Sequence, residues 1–183
     1  MPERWPPVYD AASLANAIES LVEAGDFSGF YDASLRGPEI CQGDVIHLES
    51  EIPLISGEGK PIADDAAEYW LVIGNTCDFE RDRATAKWTQ LVPIIDFGPN
   101  LTTEKRASVQ RYQTSRAFYL PPWTWNSTAE AHCHVADFLR PVAAEKEVFD
   151  EVAKVEARMT HSGWVLLHSC LVRFLCRDDR RFD

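Results

Sequence analysis

The sequence predicts an α+β protein, a mainly β core built as a small barrel with an N-terminal and a C-terminal helix. Three observations lead there. Short β-prone apolar runs recur at uneven spacing (Val45–Leu48, Tyr69–Ile73, Lys87–Ile95), without the regular helical segments that parallel βαβ units require. Clear helical periodicity is confined to the two ends of the chain. With 183 residues, 45% hydrophobic and 26% charged, the chain can bury one core and is not compositionally disordered. The expected division is residues 1–40 as helix and connector, 41–159 as barrel with insertions, and 160–183 as the closing helix, all in one compact domain.

Each element has a local reason. Asp10 can cap a helix over Ala11–Ala24, where Leu14, Ala17, Ile18, Leu21 and Val22 share a face, and Gly25 can stop it. Residues 26–38, rich in Gly, Ser, Asp and aromatics, read as an ordered connector. Gln42-Gly43-Asp44 reads as a turn into the strand Val45–Leu48, and Ser56–Pro61 as a loop. Tyr69–Ile73 is apolar throughout and suits a central strand, with Lys87–Ile95 as its neighbour and Pro93 pushing the end of that neighbour toward an edge or bulge. Gly98–Arg111 is irregular or helical. Ser115–Leu120 is a strand stopped by Pro121-Pro122, and Trp123–Thr128 an exposed tip. Cys133–Phe138 is a further short strand. Glu145–Met159 reads both ways, with helix formers first and a strand-like end. Thr160 can cap the last helix from His161 to about Arg177, with Trp164, Leu167, Leu171, Phe174 and Leu175 as its apolar face.

Charge narrows the function. The formal net charge is −11, so general binding to nucleic acid would work against electrostatic repulsion. No apolar run approaches the roughly 18 residues of a membrane span, and the N-terminus lacks a signal-peptide pattern. Cysteines 41, 77, 133, 170 and 176 are odd in number and form no CxxC pair, which fits free thiols in a reducing cytoplasm. There is no phosphate-binding glycine loop, GxSxG or HExxH motif.

Three pieces stand together: the Gly43-Asp44 opening, the segment Trp70-Leu71-Val72-Ile73-Gly74-Asn75-Thr76-Cys77-Asp78-Phe79, and Leu91-Val92-Pro93-Ile94. They resemble the PemK/MazF-like bacterial group with an SH3-like barrel, whose pattern is a GD-hydrophobic strand, a VLVISQxCDL-type strand and turn, and a hydrophobic-x-PI strand. The likeness covers about residues 41–97, with weaker echoes at Arg116–Pro121 and Arg173–Leu175. The resemblance implies an SH3-like barrel, a homodimer and a toxin–antitoxin or defence setting. In the toxin branch an arginine and a threonine carry RNA cleavage. Their positions fall here at Glu68 and Ile95, which can neither stabilise a phosphorane anion nor offer a hydroxyl. The resemblance therefore implies the fold more than the ribonuclease activity.

Candidate sites follow from chemistry. Asn75-Thr76-Cys77-Asp78 is either a structural turn or a catalytic one, with Cys77 as nucleophile, Asp78 orienting it and His47 or His132/His134 as base. His132 and His134 would share one face of a strand with Cys133 opposed; with Cys77 and Asp78 they could build a zinc site, but the spacing matches no common pattern, so no metal and no cofactor is expected. His161 and His168 share a helical face with Trp164, which suits a structural or partner-facing role. Glu49, Glu51, Asp64, Asp65 and Glu68 make an acidic rim suited to solvent or a basic partner. Arg106, Arg111 and Arg116 lie near Tyr112, Phe118, Tyr119, Trp123 and Trp125; arginines with aromatics form stacking sites or protein hot spots. The expected function is non-catalytic recognition of a protein partner or small ligand through Arg111, Arg116, Tyr119, Trp123 and Trp125. The alternative is an endoribonuclease or nucleotide-acting enzyme using Cys77, Asp78 and His47, and a third is a metal-supported domain of a larger complex.

Overall fold

The computed structural model describes residues 11–24, 27–32, 34, 40–49, 53–55, 59–63, 67–76, 86–98, 101–123 and 132–176. Its centre is β4 (Tyr69–Val72), as the continuous apolar run predicts. β4 pairs antiparallel with β1 (Val45–Leu48) on one side and β5 (Trp88–Asp96) on the other, aligning Val45, Leu71 and Val92 across the sheet. β5 carries two further strands on its outer edge: β8 (Val142–Glu145) along Trp88–Leu91 and β7 (His134–Asp137) along Ile94–Asp96. β6 (Ala117–Leu120) flanks β7, and β9 (Ala153–Ala157) flanks β1. A separate hairpin joins β2 (Pro53–Ile55) and β3 (Pro61–Ala63), where only a loop was expected. The ambiguous 145–159 stretch is a short helix, Glu147–Val152, followed by β9.

Pro93 does not mark an edge. It lies inside β5, opposite Trp70 on the β4 side. On the other side, β8 pairing ends at Leu91 and β7 pairing begins at Ile94. The residue without an N–H thus occupies the gap where β5 exchanges partners.

The seven strands form an open antiparallel sheet rather than a closed barrel. Among the described residues, β6 and β9 end the sheet and do not pair with each other. Residues 27–32 of the predicted connector run between them. Tyr31 bridges Met159 beyond β9, Asp32 N donates to Arg158 O at 2.8 Å, and Thr160 N donates to Phe30 O at 3.0 Å. On the β6 side the Tyr31 hydroxyl donates to Pro121 O at 3.0 Å.

Both faces of the central strands are buried, which is why their apolar runs do not alternate. One face joins Val45, Leu71, Val92, Phe118 and Leu120 to Leu14, Ile18 and Leu21 of helix α1 (Ala11–Ala24). α1 therefore packs on its own sheet; Asp10 and Gly25, its expected cap and stop, lie outside the described residues. The C-terminal helix, His161–Leu175, adds Leu166, Leu167 and Cys170 to this core, and its Thr160 cap accepts from Gly163 N at 3.3 Å. The other face is smaller: Ile46, Leu48, Trp70, Val72 and Leu91 under Phe149 of the Glu147–Val152 helix.

The Gly-Asp turn is a piece of this architecture. Asp44 is fully buried. Its Oδ1 and Oδ2 accept from Arg158 Nε at 2.9 Å and Nη2 at 2.7 Å, and Oδ2 also accepts from Cys41 N at 2.8 Å. Gly43 has φ +91°, a conformation that favours glycine, and a Cβ there would also press on the Met159 side chain, 3.3 Å from Sδ.

Gly74 is held still more tightly. A Cβ would lie 2.0 Å from Thr89 Oγ1 and 3.0 Å from Gln90 N. Gly74→Ala is expected to cost about 1–3 kcal/mol. Thr89 Oγ1 is buried without a hydrogen-bond partner among the described residues, so Thr89→Ala added to Gly74→Ala should recover part of the loss in urea unfolding.

Candidate functional site

At one end of the larger core the sheet opens onto a rim of rings. Register sets most of it. β1 and β4 place His47 opposite Tyr69, and β5 and β7 place Asp96 opposite His134. Pro121-Pro122 ends β6, and Trp123 turns onto the same edge. The ring centroids form a continuous line: His47–Tyr69 5.6 Å, Tyr69–Trp123 5.3 Å, Trp123–His134 4.5 Å, His134–His132 5.8 Å. His47, Tyr69, Trp123, His132 and His134 are all half-buried.

A carboxylate stands at each end of the line. Glu68 Oε1 lies 3.7 Å from His47 Nε2. Burial, and then the charge and hydrogen bond of Glu68 with Glu156 nearby, raise the Tyr69 hydroxyl above its usual range, so it stays protonated. At the other end Asp96 Oδ1 accepts from Gly98 N at 2.8 Å and Cys133 N at 3.1 Å, while Oδ2 bonds His132 Nδ1. Burial pushes the Asp96 carboxyl up, but the bonds from His132, Gly98 and Cys133 outweigh it and hold the group below the ordinary carboxylate range. Burial lowers His134, against the pull of Asp96, and favours the neutral imidazole. Its Nδ1 is buried with no hydrogen-bond partner among the described residues. Arg106 fastens this corner from behind, donating from Nη1 to His132 O at 3.1 Å and from Nη2 to Gly98 O at 2.9 Å.

The sequence-derived candidates divide. His47 and Trp123 belong to the rim. Cys77, Asp78 and Trp125 lie outside the described residues, as do Glu51, Asp64 and Asp65. Tyr119 is not a surface residue: it is buried in the core, edge-on to Phe27 at 5.7 Å. Tyr112 and Phe118 are buried with it, Phe118 and Tyr119 on β6 and Tyr112 in the turn after the Thr103–Gln110 helix. Arg116 is exposed at the start of β6, the opposite end from Trp123, and Arg111 lines a cleft with Glu19 and Arg173 beside α1. At the two positions of the toxin resemblance, Glu68 is exposed on the rim and Ile95 is half-buried in β5. His132 and His134 do share a face with Cys133 buried opposite, yet their carboxylate neighbour is Asp96. The signal for Asp96 was its place before Phe97-Gly98, where an Asx turn ends the strand.

On the His161–Trp164–His168 face, Trp164 and His168 serve packing, while His161 is exposed and stacks on Trp164. Gln42 Oε1 accepts from Trp164 Nε1 at 3.1 Å and His168 Nε2 at 2.8 Å, and Gln42 Nε2 donates to Ile73 O at 2.7 Å. These bonds tie the Gly-Asp turn and the end of β4 to the C-terminal helix, above a groove of about 380 Å³ lined by Gln90, Phe138, His168, Leu171 and Leu175. Burial lowers the His168 pKa, so the unfolded chain takes up its proton first. This stabilising contribution is full above the ordinary histidine value of about 6.5 and is lost as pH falls through it toward the folded pKa. His168→Gln should flatten the fall in urea-unfolding free energy between neutral and acidic pH.

Searches against protein-family models, curated proteins and solved structures find no match to this chain.

Proposed function

We propose that the chain is a non-catalytic recognition domain that binds a basic segment of a protein partner on its His47–Glu68–Tyr69–Trp123 rim. The observation that carries this reading is Trp123, half-buried between Tyr69 and His134 at 5.3 and 4.5 Å. A ring platform beside a carboxylate suits an arginine or lysine side chain: the rings attract the cation and the exposed Glu68 neutralises it. The net charge of −11 steers a basic partner toward the chain. On the family resemblance, the open sheet, whose two edges the 27–32 segment bridges, corresponds to an SH3-like barrel turned to binding within a toxin–antitoxin or defence system.

The test is capture of a stoichiometric partner by the tagged protein, released by salt. Trp123→Ala is expected to weaken that complex by about 2 kcal/mol or more, roughly 30-fold. Glu68→Gln should slow association and reduce its salt dependence. Cys77→Ser should leave it intact. Loss of binding with Cys77→Ser but not with Trp123→Ala would overturn the reading.

One observation favours a second reading, hydrolysis of RNA or a nucleotide. A carboxylate-held imidazole, His132 on Asp96, beside a second imidazole is the equipment of general acid–base catalysis. RNA cleavage abolished by His132→Ala would establish it.

A further inference from the structure

The corner where β5 meets β7 has more convergent donors than a binding platform needs. One ligand atom each from Asp96, His132 and His134 lies within 4.8 Å of the other two. Metal bonds of about 2.1 Å at tetrahedral angles place donors roughly 3.4 Å apart, within reach of modest ring rotation. The donors come preorganised. The Asp96 carboxylate is fixed by Gly98 N and Cys133 N through Oδ1, which leaves Oδ2 facing inward to His132. Arg106 holds the Gly98 and His132 carbonyls, pinning the two backbone segments that carry the donors. Separately, His134 has a buried ring nitrogen with no partner among the described residues, an arrangement that costs free energy unless something satisfies it.

We propose that Asp96, His132 and His134 form a binding site for a divalent transition metal of the zinc class. Two imidazoles and one carboxylate suit Zn²⁺, Co²⁺ or Fe²⁺ and disfavour the all-oxygen preference of Ca²⁺ and Mg²⁺. Three protein ligands leave a coordination position for water or a ligand atom. The Trp123 ring lies against His134 at 4.5 Å, so the metal also fixes the platform. The metal site is tested separately from partner recognition, because its readout is the metal itself.

The experiment uses the full chain, tag removed and stripped with chelator, titrated with Zn²⁺ against a chromogenic competitor and with Co²⁺ followed by visible absorption. The expected result is one equivalent of Zn²⁺ and the intense d–d bands of tetrahedral Co²⁺. His132→Ala and Asp96→Asn should each weaken binding by more than the roughly 10–100-fold that loss of an outer-shell partner costs. Asp96→Asn keeps an oxygen for Gly98 and Cys133, so it tests ligation with the turn intact. His161→Ala should change nothing. Absence of stoichiometric binding, or binding that survives both His132→Ala and Asp96→Asn, would overturn the proposal. Retained partner capture in those variants would not rescue it, and loss of partner capture with Trp123→Ala would not damage it.

Discussion

Asp44→Ala is expected to lower the unfolding free energy by about 3–5 kcal/mol, the loss that follows when one member of a buried ion pair is removed. Asp44 is fully buried, and the Arg158 side chain keeps 15% of its surface. A guanidinium keeps its proton at any ordinary pH, so Arg158 cannot escape by becoming neutral once Asp44 is gone. The deletion also strips the Cys41 N–H of its acceptor. Against a total of about 5–15 kcal/mol for an ordinary domain, much of the stability goes. Arg158→Met in the same background should restore part of it, since the guanidinium that lost its buried carboxylate is then gone too. Urea unfolding of the two single variants and the double variant reads this directly. A loss below about 1 kcal/mol for Asp44→Ala would mean that the Gly-Asp turn is not a structural anchor.

Phe118→Ala carries the second large effect, about 3–5 kcal/mol. Phe118 is fully buried, with ring centroids 5.2 Å from Tyr112, 6.2 Å from Phe138 and 6.3 Å from Phe30. It joins β6 to the 27–32 segment, to the turn after the Thr103–Gln110 helix and to the exit of β7. Those neighbours are separate pieces of chain, so collapse into the void would require several to move together. The denaturant midpoint should fall with an unchanged m-value. A midpoint that does not move would show that the 27–32 segment and β6 are not parts of one core.

The fold was legible where period and propensity agreed. The β-prone runs at Val45–Leu48, Tyr69–Ile73 and Lys87–Ile95 became β1, β4 and β5, to within a residue at their ends. Leu14, Ile18 and Leu21 recur at helical spacing and became the buried face of α1. Pro93 misled because its effect depends on which neighbour lies beside it, and the change from β8 to β7 at that point is long-range information. The way the sheet edges are bridged was not legible either: the 27–32 segment is irregular, and its bonds to the edges reach residues far along the chain, as with Thr160 N to Phe30 O and the Tyr31 hydroxyl to Pro121 O.

The site was half legible. Histidines two apart on a strand point the same way, so His132 and His134 could be paired from sequence. Their partner Asp96 lies 36 residues before His132, and only the antiparallel register of β5 and β7 brings it there. Tyr119 and Trp123 looked alike in a stretch rich in rings. Strand direction separated them, sending Tyr119 inward and leaving Trp123 past the Pro121-Pro122 stop at the edge.

The most direct measurement for rim recognition is hydrogen–deuterium exchange of the chain alone and in its captured complex. Docking on the His47–Glu68–Tyr69–Trp123 rim predicts new protection at residues 45–48, 67–72 and 119–123, reversed by salt. Protection confined to α1, or to the groove under His168 and Leu171, would contradict it.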